Sequence, residues 1–428
     1  MLTFGVFAML IGFILLGVPI AVSMGLTAVL AFIFLGEGFV LPMVAQRMYS
    51  ATTAFTLLAI PFFILAGSLM NTCGITRRIF RFASALVGHF RGGLGHVNVV
   101  ASMIFSGMSG AAVADAAGLG TIEMKAMTES GYDPEFSAAI TAASSTIGPV
   151  VPPSIPFVIY GSITGVSVGK LFLAGFTPGI FMGLALMAAV YFISKRRNYP
   201  KGTLATFEEL MTSAKEAALP LGTPVLIIGG ILSGLFTPTE ASVVASLYAM
   251  ALGLFIYREI KFRDLPKIFW DTLKHTIRVM FIISSAGFFG WFMIHQSIPE
   301  QVITGLTTLT DTRWILMLII ILILLVLGCF LEGIAVLVIT IPVFMPLIEQ
   351  NGVDPVQFGV IMILCSMLGL LTPPVGMSLY AVASISGVSI GALTKEIWPY
   401  LLGILAVLLL MTFVPQLSLW LPNLLMGP

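Results

Sequence analysis

A chain of 428 residues that is 58% hydrophobic and only 9% charged lacks the polar surface of a soluble domain, where charged residues make up about 25%. Its mean hydropathy of +1.08 excludes a water-soluble globule, and its net charge of +1 gives nucleic acid nothing to bind. The composition predicts an all-α polytopic membrane protein.

Uncharged runs cover 1–36, 48–76, 136–169, 171–194, 279–299, 355–394 and 397–428, each long enough for a helix across a ~30 Å hydrocarbon core. None shows the polar/apolar alternation of an outer-membrane barrel. The first 36 residues have no basic leader, so they read as structure and not as a cleaved signal. In chain order we expect crossings at roughly 3–18, 20–36, 52–71, 134–165 and 167–194. A second set follows at roughly 220–236, 239–257, 277–295, 356–386 and 396–420. Arg77, Arg78 and Arg81 lie on an amphipathic stretch that suits the membrane interface, and 206–217 and 262–278 read as bracing helices. The cysteines (Cys73, Cys329, Cys365) and histidines (His89, His96, His275, His295) have no metal-ligand spacing.

Sliding the chain against itself by 221 residues reveals a repeat. Gly107 meets Gly328, Gly131 meets Gly352, Asp133-Pro134 meets Asp354-Pro355, Gly148 meets Gly369, and Pro152-Pro153 meets Pro373-Pro374. Lys and Arg collect on the cytoplasmic side. They crowd 74–92 and 195–201 in the first copy, but not the equivalent stretches of the second. The copies therefore read as two inverted structural repeats, 1–195 and 220–428, joined by a cytoplasmic connector at 196–219. Each has about five spans, and both termini fall on the periplasmic side.

Two segments in each copy depart from ordinary spans. Residues 93–128 and 314–350 divide around small-residue breaks, SGMSG at 106–110 and GCFLEG at 328–333. We read them as re-entrant hairpins, because irregular backbone at that depth is tolerated only against protein or a water-filled cavity. Beyond them, the helices about 134–165 and 356–386 start at Asp133-Pro134 and Asp354-Pro355. They are interrupted by IGPVVPPS at 147–154 and LGLLTPPVG at 368–376. Proline has no amide hydrogen and clashes with the preceding turn, so the carbonyls of Gly148 to Val151 and of Gly369 to Thr372 are freed. A dehydrated cation is a natural partner for them. One such pair alone would equally well be a kink, but broken helices at matching positions of inverted halves point to a transporter's binding site.

The segments AIPFFILAGSLM (59–70), SGMSGAAVADAAGLG (106–120), VPPSIPFVIYG (151–161), GLFTPTEASVVASLYA (234–249) and LGLLTPPVG (368–376) resemble the large membrane subunit of TRAP (tripartite ATP-independent periplasmic) transporters. The resemblance implies Na⁺-coupled transport of an organic acid, often sialic acid or a C4-dicarboxylate, across the bacterial inner membrane by an elevator motion. It implies two partners, a periplasmic substrate-binding protein and a small four-helix membrane subunit. Because the chain begins directly at MLTFGVF, the small subunit is expected as a separate chain. No other cofactor and no enzymatic activity are implied.

Carried over by position, the resemblance implies one Na⁺ site from Ser106, Gly107, Gly148, Val151 and Pro153, and another from Gly328, Glu332, Gly369, Thr372 and Val375. Substrate would lie between them, near Ser109, Ser144, Ser145, Ser154 and Thr372. Asp115 and Glu240 are acids in apolar surroundings, where an unpaired charge costs at least ~2.5 kcal/mol. Ion coupling (Asp115, Glu332) or fixing a break (Glu240) competes with local capping as their role. The competing functions are a stand-alone elevator dicarboxylate/Na⁺ symporter, proton coupling in place of Na⁺, and an intramembrane enzyme. The last has no carboxylate pair, metal motif or nucleophile–base arrangement in its favour.

Overall fold

The computed structural model describes residues 2–110, 112–308, 310 and 312–427, without the side chains of Leu2, Met108, Ser109, Val113, Ala114 and Ala117. Among these residues there is no strand, only an isolated bridge between Arg91 and Lys201. Pro19 parts α1 (Leu2–Leu15) from α2 (Ile20–Phe34), and α3 (Met43–Ser50) and α4 (Ala59–Thr72) follow. The amphipathic α5 (Ile75–Val87) buries Ile75, Thr76, Ile79 and Ala83. On its polar side Arg78 reaches Glu259 at 3.0 Å and lies over the Tyr257 ring at 3.8 Å, and Arg81 reaches Glu216 at 2.8 Å.

The first hairpin comprises α6 (Gly93–Ser109), α7 (Ala112–Ala117) and α8 (Leu119–Glu129), its second arm divided at Gly118. The halves of the first broken helix are α9 (Pro134–Ser145) and α10 (Ile155–Thr164), and α11 (Val168–Arg197) completes this half of the chain. Next come α12 (Phe207–Leu232), α13 (Pro238–Ala251), α14 (Leu265–His295) and α15 (Ile298–Thr307). The second hairpin is α16 (Arg313–Phe330) and α17 (Gly333–Gln350), and the second broken helix is α18 (Pro355–Leu370) and α19 (Met377–Ser386). The chain closes with α20 (Ile390–Glu396), α21 (Trp398–Phe413) and α22 (Pro415–Met426).

Three expected boundaries move. Residues 206–217 are not a separate bracing helix but the start of α12, which runs through Pro220 and Pro224. The expected connector boundary at 219 thus falls inside a helix. Neighbouring helices in a membrane protein can re-satisfy backbone groups freed by such prolines. Likewise 262–278 merges with the following span into the 31-residue α14. The expected span 396–420 instead bends by 65° at Val414-Pro415, and α19 meets α20 at 117°.

Seven helices among the described residues are long and apolar enough to cross a membrane, or nine if each bent pair is one span. Both arms of the second hairpin are among the seven. At 18 residues each they reach about 27 Å, so length alone does not make them re-entrant. The halves of the broken helices, 10 to 16 residues long, are individually too short to span.

Every side chain from Phe136 to Ser145 in α9 and from Val356 to Leu370 in α18 is buried. Protein surrounds these helices, and the polar stripe of α9 is turned inward, Thr141 and Ser144 meeting Asn98 of α6 at 2.8 and 2.6 Å. The α9 helix packs on α6, α19 and α20, α18 packs on α16, α17 and α21, and α10 packs on α17. The Tyr160 hydroxyl of α10 donates to the Pro355 carbonyl at 2.6 Å, stitching one broken helix to the other. The hairpins and broken helices therefore form one interlocked centre. On another side, α4 packs against α13 and α14.

The two Asp-Pro helix starts differ. Asp354 caps α18 by accepting from the amides of Val356 at 2.7 Å and Gln357 at 3.3 Å. Asp133 holds the same position before α9 but makes no capping bond. Its carboxylate accepts from the Tyr199 hydroxyl at 2.5 Å and pairs with Arg197 at 3.2 Å. Asp354→Ala should therefore lower the thermal unfolding midpoint in detergent, with a loss of about 1 kcal/mol. Asp354→Ser should restore most of it; an unchanged midpoint for the alanine variant would show that the cap is not needed.

Candidate ion and substrate site

The first break contains a cis Pro152-Pro153 bond and the second a cis Pro373-Pro374 bond. The Gly369 carbonyl, expected to be freed, accepts from the Thr372 amide at 3.0 Å because the last turn of α18 tightens before the prolines. Among the described residues, however, the carbonyls of Gly148 and Val151, and those of Leu371 and Thr372, accept no main-chain hydrogen bond. A buried carbonyl left in this state carries a desolvation cost unless some other donor or a cation meets it.

Each break lies against the tip of the hairpin before it. A Cβ added to Gly369 would fall 2.5 Å from the Cα and carbonyl carbon of Gly328, and one added to Gly328 would fall 3.1 Å from the Gly369 Cα. Only glycine at both positions permits this approach. The Val375 amide donates to the Cys329 carbonyl at 3.2 Å, closing the same junction. In the first copy, a Cβ on Gly107 would lie 2.8 Å from Pro224 Cγ and 3.6 Å from the Pro152 carbonyl. Gly110 takes φ +62°, and a Cβ there would sit 2.6 Å from the Pro153 carbonyl.

The structure thus brings Gly328, Gly369 and Val375 together, and Gly107 to the Pro152-Pro153 turn. Ser106 is buried, and its hydroxyl donates to the Ser102 carbonyl. The Thr372 hydroxyl donates to the Leu368 carbonyl at 2.7 Å. Asp115, 2% exposed, places its carboxylate so that a Cβ on Gly148 would run into Oδ2. No group of three or more His, Cys, Asp or Glu able to hold a metal ion occurs among the described residues. The donors gathered here are main-chain carbonyls and hydroxyls, a set that suits Na⁺ and not a transition metal.

A cleft of about 230 Å³ lies where these parts meet. The first tip supplies Gly110 and Ala112, and the second supplies Glu332 and Gly333. Pro149, Ile155 and Pro156 come from the first break, and Met367 and Leu370 from α18. The facing wall is α4, through Ser68 and Asn71 among others, and α14, through His275 and Val279. The first residues of α10 and α17 are both in the lining, and helix amino ends favour an anion there. Two lining groups carry a buried oxygen without a hydrogen-bond partner among the described residues: Asn71 Oδ1 and Glu332 Oε2.

Of the hydroxyls expected near substrate, those of Ser144, Ser145, Ser154 and Thr372 do not line this cleft. Ser144 donates to Asn98 Oδ1 at 2.6 Å and accepts from Ser102 at 3.1 Å, fixing α9 to α6. Ser145 donates to the Ala142 carbonyl at 2.9 Å and lies 3.4 Å from Ser378 Oγ. Ser154 caps α10 by accepting from the Phe157 amide at 3.3 Å, and it donates to the Pro149 carbonyl. The side chain of Ser109 lies outside the described residues. Glu240 closes a capping box at the start of α13, accepting from the Thr237 amide and hydroxyl at 2.8 Å each. Sequence reasoning passed over Asn71, Asn98 and Glu123, the last only 1% exposed. An amide side chain within an apolar run was the available signal for Asn71 and Asn98, whereas Glu123 is masked by the charged residues around it.

Residues 7–417 match the family model described as the tripartite ATP-independent periplasmic transporter, DctM component. The sialic acid TRAP transporter large permease protein SiaM of Vibrio cholerae is 45% identical over 417 residues, 97% of each chain. The C4-dicarboxylate TRAP transporter large permease protein DctM of Pseudomonas aeruginosa is 39% identical over 401 residues, 94% of each chain. Among solved structures, MtrF of Neisseria gonorrhoeae shares the fold at a TM-score of 0.62 and 12% identity, over 90% of this chain and 85% of that one. Matched across almost its whole length by family model and relatives alike, the chain belongs to the DctM family of TRAP transporter large permeases.

Proposed function

We propose that the chain is the large membrane subunit of a Na⁺-coupled importer of an organic acid, of the sialic acid or C4-dicarboxylate class. It works in the bacterial inner membrane with a small four-helix subunit and a periplasmic binding protein that delivers the substrate. The observation that carries this reading is that both hairpin tips, each packed against its own helix break, reach one cleft. Its halves, 1–195 and the part that begins with α12, act as inverted repeats with periplasmic termini. The hairpins and broken helices move as one transport unit against a scaffold that includes α4 and α14. Interlocked packing among the former, and the cleft between the two sets, support an elevator motion.

Charge relates ion to substrate. Glu332 presents a buried oxygen to the cleft, and an ionised carboxylate there repels a carboxylate substrate. At 4 Å two unit charges interact by roughly 4 kcal/mol at an effective dielectric constant of 20. Na⁺ held by the Gly328, Gly369 and Thr372 carbonyls, with Glu332 beside them, offsets that repulsion and makes anion binding depend on the ion. Asn71, with its unpartnered Oδ1 in the cleft and two amide hydrogens to donate, orients the acid from the scaffold side.

Three outcomes test this reading. Reconstituted with the small subunit and a cognate binding protein, the chain should accumulate sialic acid or a C4-dicarboxylate only under an inward Na⁺ gradient. Equal uptake with K⁺ replacing Na⁺, or without the binding protein, would contradict it. Gly369→Ala should abolish uptake while the subunits still assemble, because even a methyl group meets the Gly328 backbone. Gly229→Ala, with open space around its Cβ, should transport normally; activity in the Gly369 variant would dissolve the second ion site. Glu332→Gln should raise the Na⁺ concentration for half-maximal uptake roughly tenfold, the equivalent of about 1.4 kcal/mol. An unaltered Na⁺ dependence would remove Glu332 from ion binding.

A further inference from the structure

A second cleft, about 380 Å³, opens between the end of α11 and the corner joining α20 to α21. Its lining is Ile193, Arg196, Arg197, Lys395, Glu396 and Pro399. Arg197 is committed, since its guanidinium reaches Asp133 at 3.2 Å and Glu396 at 2.8 Å. Arg196 and Lys395 have no ion pair among the described residues. The three cations Arg196, Arg197 and Lys395 face only two acids, Glu396 and Asp133, so among the described residues the cleft keeps an excess of one positive charge, with Arg196 and Lys395 free to meet an anion.

The surroundings say what supplies the missing anion. The cleft sits at the foot of the 30-residue α11, where Phe192 is 69% exposed, and next to Trp398, 55% exposed. Tryptophan at such a height marks the boundary between acyl chains and headgroups. A ligand here meets the cations and the apolar Ile193 and Pro399 within the cleft, and Phe192 and Trp398 are exposed beside it in the chain. Basic pockets between helices at a membrane surface bind phospholipid headgroups through their phosphate. We propose that this cleft binds an anionic phospholipid, with Arg196 and Lys395 on the phosphate and the acyl chains along the exposed face of α11. Since Arg197 links the start of α9 to the end of α20, a headgroup seated there also steadies the junction that holds the first broken helix.

The purified full-length chain is titrated in detergent and read by native mass spectrometry. The probes are phosphatidylglycerol, phosphatidylcholine with the same chains, and inorganic phosphate. Phosphatidylglycerol should bind the wild type, and the Arg196→Gln/Lys395→Gln variant should bind it about 25-fold more weakly, roughly fivefold for each cation removed. Arg263→Gln/Lys267→Gln, which alters two cations away from the cleft, should bind as the wild type does. Should the first variant not purify, Lys395→Gln alone should show the fivefold loss. Unchanged affinity in the cleft variants, or phosphatidylcholine binding as tightly, would overturn the proposal. Inorganic phosphate competing at the same affinity would make this a free-anion site, which also overturns it.

Discussion

Hydrocarbon offers no hydrogen bonds, so a main-chain carbonyl placed at mid-membrane depth must find a partner within the protein, in trapped water or in an ion. Most of this chain meets the requirement by staying helical. It departs from helix at two Pro-Pro turns, and at both turns carbonyls have no main-chain partner among the described residues. The departure is set into the backbone by proline and cannot be relieved by a different side-chain rotamer. Much of the surrounding architecture encloses the helices that lead into these turns: α9 and α18 are buried along nearly their whole length and the hairpin tips pack against the breaks, while Val375 at the second turn is 38% exposed.

That packing bears on the proposed transport step. A tip glycine touching a break glycine leaves no room for a side chain, so the oxygens at the junction belong to the backbone, and their positions follow the hairpin and the broken helix together. An ion held between them would reinforce contacts that otherwise leave polar groups unmet. The cleft is lined by residues beside both junctions, Gly110 and Pro149 near the first and Glu332 and Leu370 near the second, so a bound substrate would lie next to each. Asn71 and His275 come from helices outside the hairpins and breaks, so a sliding transport unit would break their contacts with substrate as it moves.

The parts most legible in sequence were those fixed by backbone chemistry. The 221-residue register places α17 and α18 at the offsets expected from residues 112–129 and Pro134, because glycine and proline impose the same turns wherever they recur. Tertiary chemistry was less visible. Asp133 and Asp354 occupy equivalent positions in the sequence, yet Tyr199 and Arg197 draw Asp133 away from capping. The serines expected near substrate have partners elsewhere: Ser145 and Ser154 donate to nearby carbonyls, as hydroxyls in apolar settings do, and Ser144 bonds across to Asn98 of α6. Polar groups that reach the cleft, such as Asn71, lie far away in sequence on helices whose rotation no local pattern announces. Charge runs at 206–217 and 262–278 suggested boundaries that the helices simply continue through.

The central claim is that the carbonyls of the two breaks are coupling-ion ligands. Hydrogen exchange of the purified complex, compared in NaCl and KCl at equal ionic strength, tests it most directly. The account predicts slower exchange in Na⁺ confined to amides around 106–110, 147–154, 328–333 and 368–376, with the rest of the molecule unchanged. Identical exchange in the two salts at those four segments, in protein that transports substrate, would contradict it.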